Sequence, residues 1–156
     1  MQIHALDFDI SFEEIFSLIG IHTVLEDYKL AYLLNKNLQT RFSKTAEELK
    51  FENEKNEACF SLYQYKETNC EYDWHLISNS VRTENSNNTS ELLLSSEITT
   101  YLIPEKKKVD YFIKISGDTN YNYVAEVIEK IKKIDQVVTA YRIDKNSLKS
   151  KDFLTF

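Results

Sequence analysis

The alternation of apolar and polar residues is clearest in the C-terminal part of the chain. Apolar residues at every second position predict a strand over 109–115: Val109, Tyr111, Ile113 and Ile115. Residues at the spacing of one helical face then predict a helix after the turn at 116–120: Val124, Val127, Ile128 and Ile131. The period of two returns over 137–143, so we expect strand, helix and strand in succession.

The first part of the chain has the same order of elements. A dense apolar run over 12–22 predicts a buried strand, in which Gly20 marks a bulge or a close backbone approach. Thr23 and Glu26 have the spacing of a capping box, so a helix is expected to begin there. Its apolar positions form a wide face and predict that it is largely buried: Leu25, Tyr28, Leu30, Ala31, Tyr32, Leu33, Leu34 and Leu38.

Aromatic residues dominate the middle of the chain. The segments 58–66 and 72–78 predict a β-hairpin or a meander, and 49–51 predicts a short strand within a polar connector. The segment 79–91 is polar throughout and predicts a mobile loop. Ile103 precedes Pro104 and is therefore expected to be extended.

Together these elements predict one α+β domain over 1–156, with a mostly antiparallel sheet and two helices packed on one face. The element order favours a ferredoxin-like plait with extra strands. In that arrangement we expect the strands at 109–115 and 137–143 to be neighbours.

Composition narrows the function classes. Gly20 and Gly117 are the only glycines, which excludes the glycine-rich loops of dinucleotide- and phosphate-binding enzymes and the nucleophile elbow of hydrolases. The net charge is −6, which argues against nonspecific binding to DNA or to a membrane. Residues 1–100 hold 8 basic and 17 acidic side chains and residues 101–156 hold 11 and 8, so a basic patch stays open in the C-terminal third.

Catalytic and metal-binding patterns are absent from the sequence. The histidines and cysteines have no metal-ligand spacing, and a pair of Cys59 with His75 has no supporting motif, so we expect Cys59 to be a small buried apolar residue. We expect no cofactor and no metal, and an enzyme is the least favoured class. The first residues show no secretory signal, and the longest apolar run is too short for a membrane span, so a cytoplasmic location is expected.

The segment Ile103-Pro104-Glu105-Lys106-Lys107-Lys108-Val109-Asp110-Tyr111 resembles the motif that names the IPExxVDY family of bacterial proteins. The segments 25–36 and 136–151 resemble the same family, so the resemblance spans most of the chain. Three lysines stand between Glu105 and Val109, where the family name leaves two positions. The resemblance implies a cytoplasmic bacterial protein and supplies no activity.

These residues also supply the candidate binding positions. If Glu105, Asp110 and Tyr111 meet Glu26 and Tyr28 on the surface, the motif is a site; if they are buried, it is architectural. The lysines Lys106, Lys107 and Lys108 are expected to converge with Arg142, Lys145, Lys149 and Lys151 into a patch beside Tyr111 and Tyr141. Such a patch favours RNA or ribosome association.

A third candidate is the turn at Gly117 and Asp118, at the predicted start of the second helix. Its element order resembles amino-acid-sensing domains of the ACT-like type, and free N–H groups at a helix start bind anions. Our leading hypothesis is a non-enzymatic module that binds a protein partner or a second copy of itself, because no catalytic motif is present and aromatic strands offer an edge. RNA binding and small-molecule sensing are the alternatives.

Overall fold

The computed structural model describes residues 14–53, 56–69, 72–84 and 97–156. The predictions that fall on residues 12–13, Cys70 and 85–91 lie outside the described residues. The strands are β1 (Phe16–Thr23), β2 (Ser43–Lys44), β3 (Leu49–Asn53), β4 (Asn56–Phe60), β5 (Leu62–Lys66), β6 (Asp73–Ser78), β7 (Ser80–Glu84), β8 (Glu97–Tyr101), β9 (Tyr111–Ser116) and β10 (Val137–Ile143). The helices are α1 (Asp27–Leu38) and α2 (Tyr121–Lys132).

Six strands form one antiparallel sheet in the order β10-β1-β9-β6-β5-β2. β1 pairs with β10 on one side and with β9 on the other. Consequently β9 and β10 are parallel, are connected through α2 and have β1 between them, and β1 and β6 are likewise parallel on either side of β9. The α+β class and the antiparallel sheet are confirmed, and this order does not conflict with the predicted ferredoxin-like plait.

Alternate residues of each strand supply two separate cores. On one face Ile19, Ile113 and Leu76 pack with both helices, which confirms that α1 and α2 lie on one side of the sheet. On the other face Leu18, Phe112 and Ile77 pack against residues of β4 and of the C-terminal segment. Both faces of the sheet are therefore covered, and its edges are the places where backbone groups are left for a partner.

The first helix corrects two predictions. The hydroxyl of Thr23 donates to the Gln136 carbonyl at 2.8 Å and accepts from the Leu25 N–H, so it does not cap α1, whose N-cap is Glu26 without a side-chain bond. The predicted capping box is therefore wrong, because Thr23 ties β1 to the chain before β10. Tyr28 and Tyr32 are 54% and 66% exposed, so the helix buries only part of the predicted wide apolar face.

Gly20 lies where two chain segments approach each other. A Cβ at this position would come within 2.7 Å of the Ile143 Cδ1 and 3.3 Å of the Val109 Cγ1. Both atoms belong to side chains, so side chains rather than a second backbone pack closely on Gly20. The irregularity in pairing falls between His22 and Thr23 instead.

The other corrections concern neighbours and loops. β5 and β6 form the predicted hairpin, but β4 pairs with β3 in a separate two-stranded sheet. Residues 80–84 of the predicted loop form β7, paired with β8. The strands at 109–115 and 137–143 are not neighbours, because β1 lies between them.

Candidate functional site

Asn79 holds the motif segment in place. Its side-chain N–H₂ donates to the carbonyls of Lys106 and Val109 at 2.8 and 2.9 Å, and its side-chain oxygen accepts from the Ile103 N–H at 2.8 Å. Its backbone N–H donates to the Asp110 carbonyl, and its carbonyl accepts from the Leu102 N–H. Asn79 has no exposed surface, so these five bonds fix the loop from inside. The sequence did not predict this role, because the polar segment 79–91 that holds Asn79 predicts a mobile loop.

The acidic residues of the segment, Glu105 and Asp110, have structural partners. The Glu105 carboxylate accepts from the backbone N–H and the hydroxyl of Ser150, at 2.8 and 3.0 Å. Burial works against ionisation there, but these hydrogen bonds outweigh it and lower the pKa of Glu105. The Asp110 carboxylate accepts from the Thr23 N–H at 2.9 Å, at the end of β1. Each carboxylate therefore fastens the motif to a different part of the chain.

Tyr111 is buried beneath the start of α1 and does not form a surface patch. Its hydroxyl donates to the Leu25 carbonyl at 2.7 Å, and burial together with the Asp27 carboxylate raises its pKa. Glu26 is exposed at the helix start, and Tyr28 carries the Lys29 ammonium 5.7 Å from its ring centroid. Tyr111 is therefore buried, Glu105 and Asp110 accept hydrogen bonds from backbone N–H groups, and Glu26 and Tyr28 lie on the surface of α1. Only Tyr111 is buried, whereas Glu105, Asp110, Glu26 and Tyr28 are exposed, so neither expected arrangement, a surface cluster or a buried motif, is met in full.

Some of the residues that were expected beside Lys106, Lys107 and Lys108 lie elsewhere in the structure. Lys106, Lys107 and Lys108 line a groove of about 400 Å³ together with Pro104 and Tyr141. The Tyr141 hydroxyl lies 2.9 Å from His22 Nε2. Two of the other cations are engaged elsewhere: Arg142 lies over the Tyr121 ring and Lys145 over the Phe16 ring.

The expected pairing of Tyr111 with Tyr141 is wrong. Tyr111 belongs to the core on the helix face, whereas Tyr141 lines the groove on the opposite face. Since Tyr111 is also buried, Tyr111 and Tyr141 do not form a pair of rings on which bases could stack. The lysine groove is left with a single tyrosine.

The turn at Gly117 is occupied by protein groups. Gly117 has a positive φ of 119°, which explains the glycine, and its N–H donates to the Ile15 carbonyl at 2.8 Å. The Asn120 side chain accepts from the Tyr123 N–H and caps α2. The carbonyl of Asp118 accepts from the Tyr72 hydroxyl. These bonds make the turn a helix cap.

Cys59 and His75 are not brought together. Cys59 is half-buried in β4, between the inward-facing Ala58 and Phe60, and His75 lies in β6 of the six-stranded sheet. Partial desolvation and the carboxylates of Glu57 and Glu48 raise the pKa of Cys59. The prediction of a fully buried Cys59 is wrong, because alternation points it away from the core. Within the described residues, no three His, Cys, Asp or Glu side chains group as metal ligands would.

Lys114 is a buried cation that the alternation had placed on a polar face. Its side chain is 1% exposed, and its ammonium donates to Glu14 at 2.8 Å and to the carbonyls of Leu154 and Phe156 at 2.6 and 3.1 Å. The rings of Phe16 and Phe156 flank it at 4.9 and 5.1 Å. This lysine therefore anchors the C-terminal segment to β9.

His75 lies opposite Lys114 in the sheet and makes folding stability depend on pH. Burial, and then the Lys114 charge, lower its pKa below 6.5, and its Nδ1 is buried without a hydrogen-bond partner among the described residues. Below pH 6.5 the unfolded chain binds a proton at His75, whereas the folded chain binds it only at a lower pH. Folding stability therefore falls as the pH drops from 6.5 toward the lowered pKa of His75.

We expect His75→Phe to remove part of this pH dependence. Between pH 7.5 and 5.5 the wild-type chain should lose stability at up to about 1.4 kcal/mol per pH unit from this group. Urea unfolding of both proteins at the two pH values measures the difference. An identical loss in the variant would contradict a neutral buried His75.

The outer edge of β10 is the longest free edge of the sheet. Among residues 14–53, 56–69, 72–84 and 97–156 no strand pairs with it, whereas the opposite edge is the two-residue β2. Val138 on this edge is 78% exposed, and Tyr141 of the same strand lines the lysine groove. Unpaired strand edges are templates for pairing with another chain. Sequence reasoning placed the strand but not its position at the edge, because strand order depends on distant contacts.

Comparisons with known proteins supply no further assignment. No protein-family model matches the chain, and a search of curated proteins finds no match. In the part of the chain that the structure describes, no helix has the length and apolar character needed to cross a membrane.

Proposed function

We propose that this protein is a non-enzymatic interaction module that binds a protein partner by strand addition at the outer edge of β10. The observation that carries the proposal is the seven-residue strand whose outer side has no partner within the described residues. A partner strand gains main-chain hydrogen bonds along such an edge and specificity from alternate side chains. The resemblance to the IPExxVDY family and a cytoplasmic bacterial setting belong to the same proposal.

The surroundings of the edge support binding of a peptide segment. The exposed side chain of Val138 offers apolar surface on the helix face of the sheet, and Tyr141 lines the lysine groove on the opposite face. Lys106, Lys107 and Lys108 give that groove a positive charge. An extended segment that covers Val138 with aliphatic surface has the complementary chemistry on the helix face.

A photo-crosslinking amino acid at position 138 tests the proposal in cells. We expect covalent protein adducts from position 138 and none from position 99, a matched exposed position on β8. The adducts should disappear in Arg142→Pro, because proline removes an N–H that faces away from β1, and should persist in Arg142→Gln. Thermal unfolding of each variant confirms folding. Equal adduct yields from positions 138 and 99 would contradict the proposal.

The lysine groove favours RNA association as a second candidate. Three lysines beside one tyrosine and one histidine offer phosphate contacts and a single stacking surface. This candidate predicts co-sedimentation with RNA that weakens with salt and is lost when Lys106, Lys107 and Lys108 are changed to Glu. Sedimentation that does not depend on salt would exclude it.

A further inference from the structure

We infer that the partner at the β10 edge is β10 of a second copy of this chain, paired antiparallel about a two-fold axis at Ala140. The inference rests on the proposed function and names its partner. In this register Ala140 lies opposite Ala140 of the second copy, and Val138 lies opposite the second copy's Arg142. The result is one continuous sheet of twelve strands from two copies of the six-stranded sheet.

The hydrogen bonds inside the sheet define which groups of β10 face outward. The Ile21 carbonyl accepts from the Asp110 N–H, so the backbone of Ile21 faces β9. Alternation along β1 then directs Gly20 and His22 toward β10, where they pair with Tyr141 and Thr139. The backbone groups of Ala140 and Arg142 therefore point to the open edge. They are the groups that a two-fold axis at Ala140 brings into hydrogen-bonded positions.

The side chains of the edge complement themselves in this register. Val138 would be covered by the aliphatic part of the second copy's Arg142, while the guanidinium keeps its Tyr121 ring contact at 4.9 Å. On the other face Thr139 lies opposite Tyr141, a β-branched and aromatic pair of the kind that stabilises antiparallel strands. No charged residue within 138–142 faces a like charge.

The charged residues of β10 and of the segments that flank it favour the same two-fold axis. The two Arg142 residues lie four positions apart along the sheet, about 14 Å, which exceeds the screening length of about 8 Å at physiological salt. The same register brings the Asp135 end of one strand beside the Lys145 end of the other. A register centred on Arg142 would instead oppose the two guanidinium groups. Charge therefore selects Ala140 as the centre.

The structure also limits how much of β10 is paired. The irregularity opposite Thr23 ends the regular ladder near Val137, so five residues, 138–142, contribute. α2 leaves the edge accessible, since Val138 and Tyr121 are 78% and 71% exposed. A five-residue strand pair is a small contact, and we expect a dimer whose population depends on concentration.

Sedimentation equilibrium of the full chain over a concentration series tests the inference. We expect reversible dimerisation that weakens about tenfold in Val138→Lys, since two lysines then face two arginines across the axis. The double variant Val138→Lys with Arg142→Glu should recover the wild-type affinity, because each lysine then faces a glutamate. Thr99→Lys, an exposed strand position on β8, is the matched control and should leave the affinity unchanged.

The outcomes separate this inference from the proposed function. A chain that stays monomeric at every concentration overturns the self-pairing, and adducts to other proteins from position 138 would then still support strand addition. A dimer that is insensitive to Val138→Lys also overturns the inference, since it must use another surface. Adducts from position 138 that have the mass of two chains and vanish in Arg142→Pro support it.

Discussion

We expect Asn79→Ala to lower the free energy of unfolding by about 3–5 kcal/mol, among the largest effects of any single substitution in this chain. The variant removes three side-chain hydrogen bonds and leaves the Ile103 N–H and the carbonyls of Lys106 and Val109 without their partner. Two of these bonds are fully buried, so water replaces them poorly. Urea unfolding at neutral pH measures the loss.

Two further variants separate the hydrogen bonds from the space that the side chain fills. Asn79→Asp keeps the size and the acceptor for Ile103 but turns a carboxylate oxygen toward two carbonyls, so we expect a loss as large as that of Asn79→Ala. Asn122→Ala on the exposed face of α2 should change stability by less than about 0.5 kcal/mol. If Asn79→Ala cost no more than this control, the loop would not depend on Asn79.

Replacement of Lys114 is expected to have the second largest effect. Lys114→Ala removes a fully buried side chain and its bonds to Glu14, Leu154 and Phe156, and we expect a loss of about 3 kcal/mol. Lys114→Met keeps most of the volume and should lose about half as much. Because the Leu154 bond anchors the C-terminal segment, trypsin should also cleave faster at Lys151 in both variants. Unchanged cleavage would show that other contacts hold the segment.

The pH dependence of Lys114 has a defined sign. Burial lowers its pKa from the ordinary 10.5, although the bond to Glu14 opposes this. Between the lowered value and 10.5 the folded chain holds fewer protons than the unfolded chain, so stability relative to Lys114→Met rises with pH across that window. Urea unfolding of both proteins from pH 8 to pH 10.5 measures this difference. A constant difference would mean that the pKa is not lowered.

Local patterns in the sequence account for the elements that the structure confirms. The strand at 111–116, the helix at 121–132 and the strand at 137–143 follow from side-chain periods, since a period of two or 3.6 is a property of neighbouring residues. The same holds for the extended Ile103, which depends on the proline that follows it. Fold class followed from the order of these elements.

Long-range contacts account for the predictions that were wrong. Alternation predicted a polar position for Lys114, but a second layer of chain covers that face of the sheet. Glu14 and the carbonyls of that layer accept hydrogen bonds from the Lys114 ammonium, which offsets the free energy of removing its charge from water. Thr23 has the spacing of a helix cap, yet Gln136, more than a hundred residues away, takes its hydroxyl. A local pattern carries no information about such partners.

The candidate site shows the same division. The sequence determined that 137–143 is a strand and that lysines precede Val109, because both are local properties. It gave no sign that β10 lies at the edge, that β1 separates it from β9, or that Asn79 fixes the motif. Those features depend on which strands pair and on which buried groups find hydrogen bonds. Both are settled only when segments far apart in the chain meet.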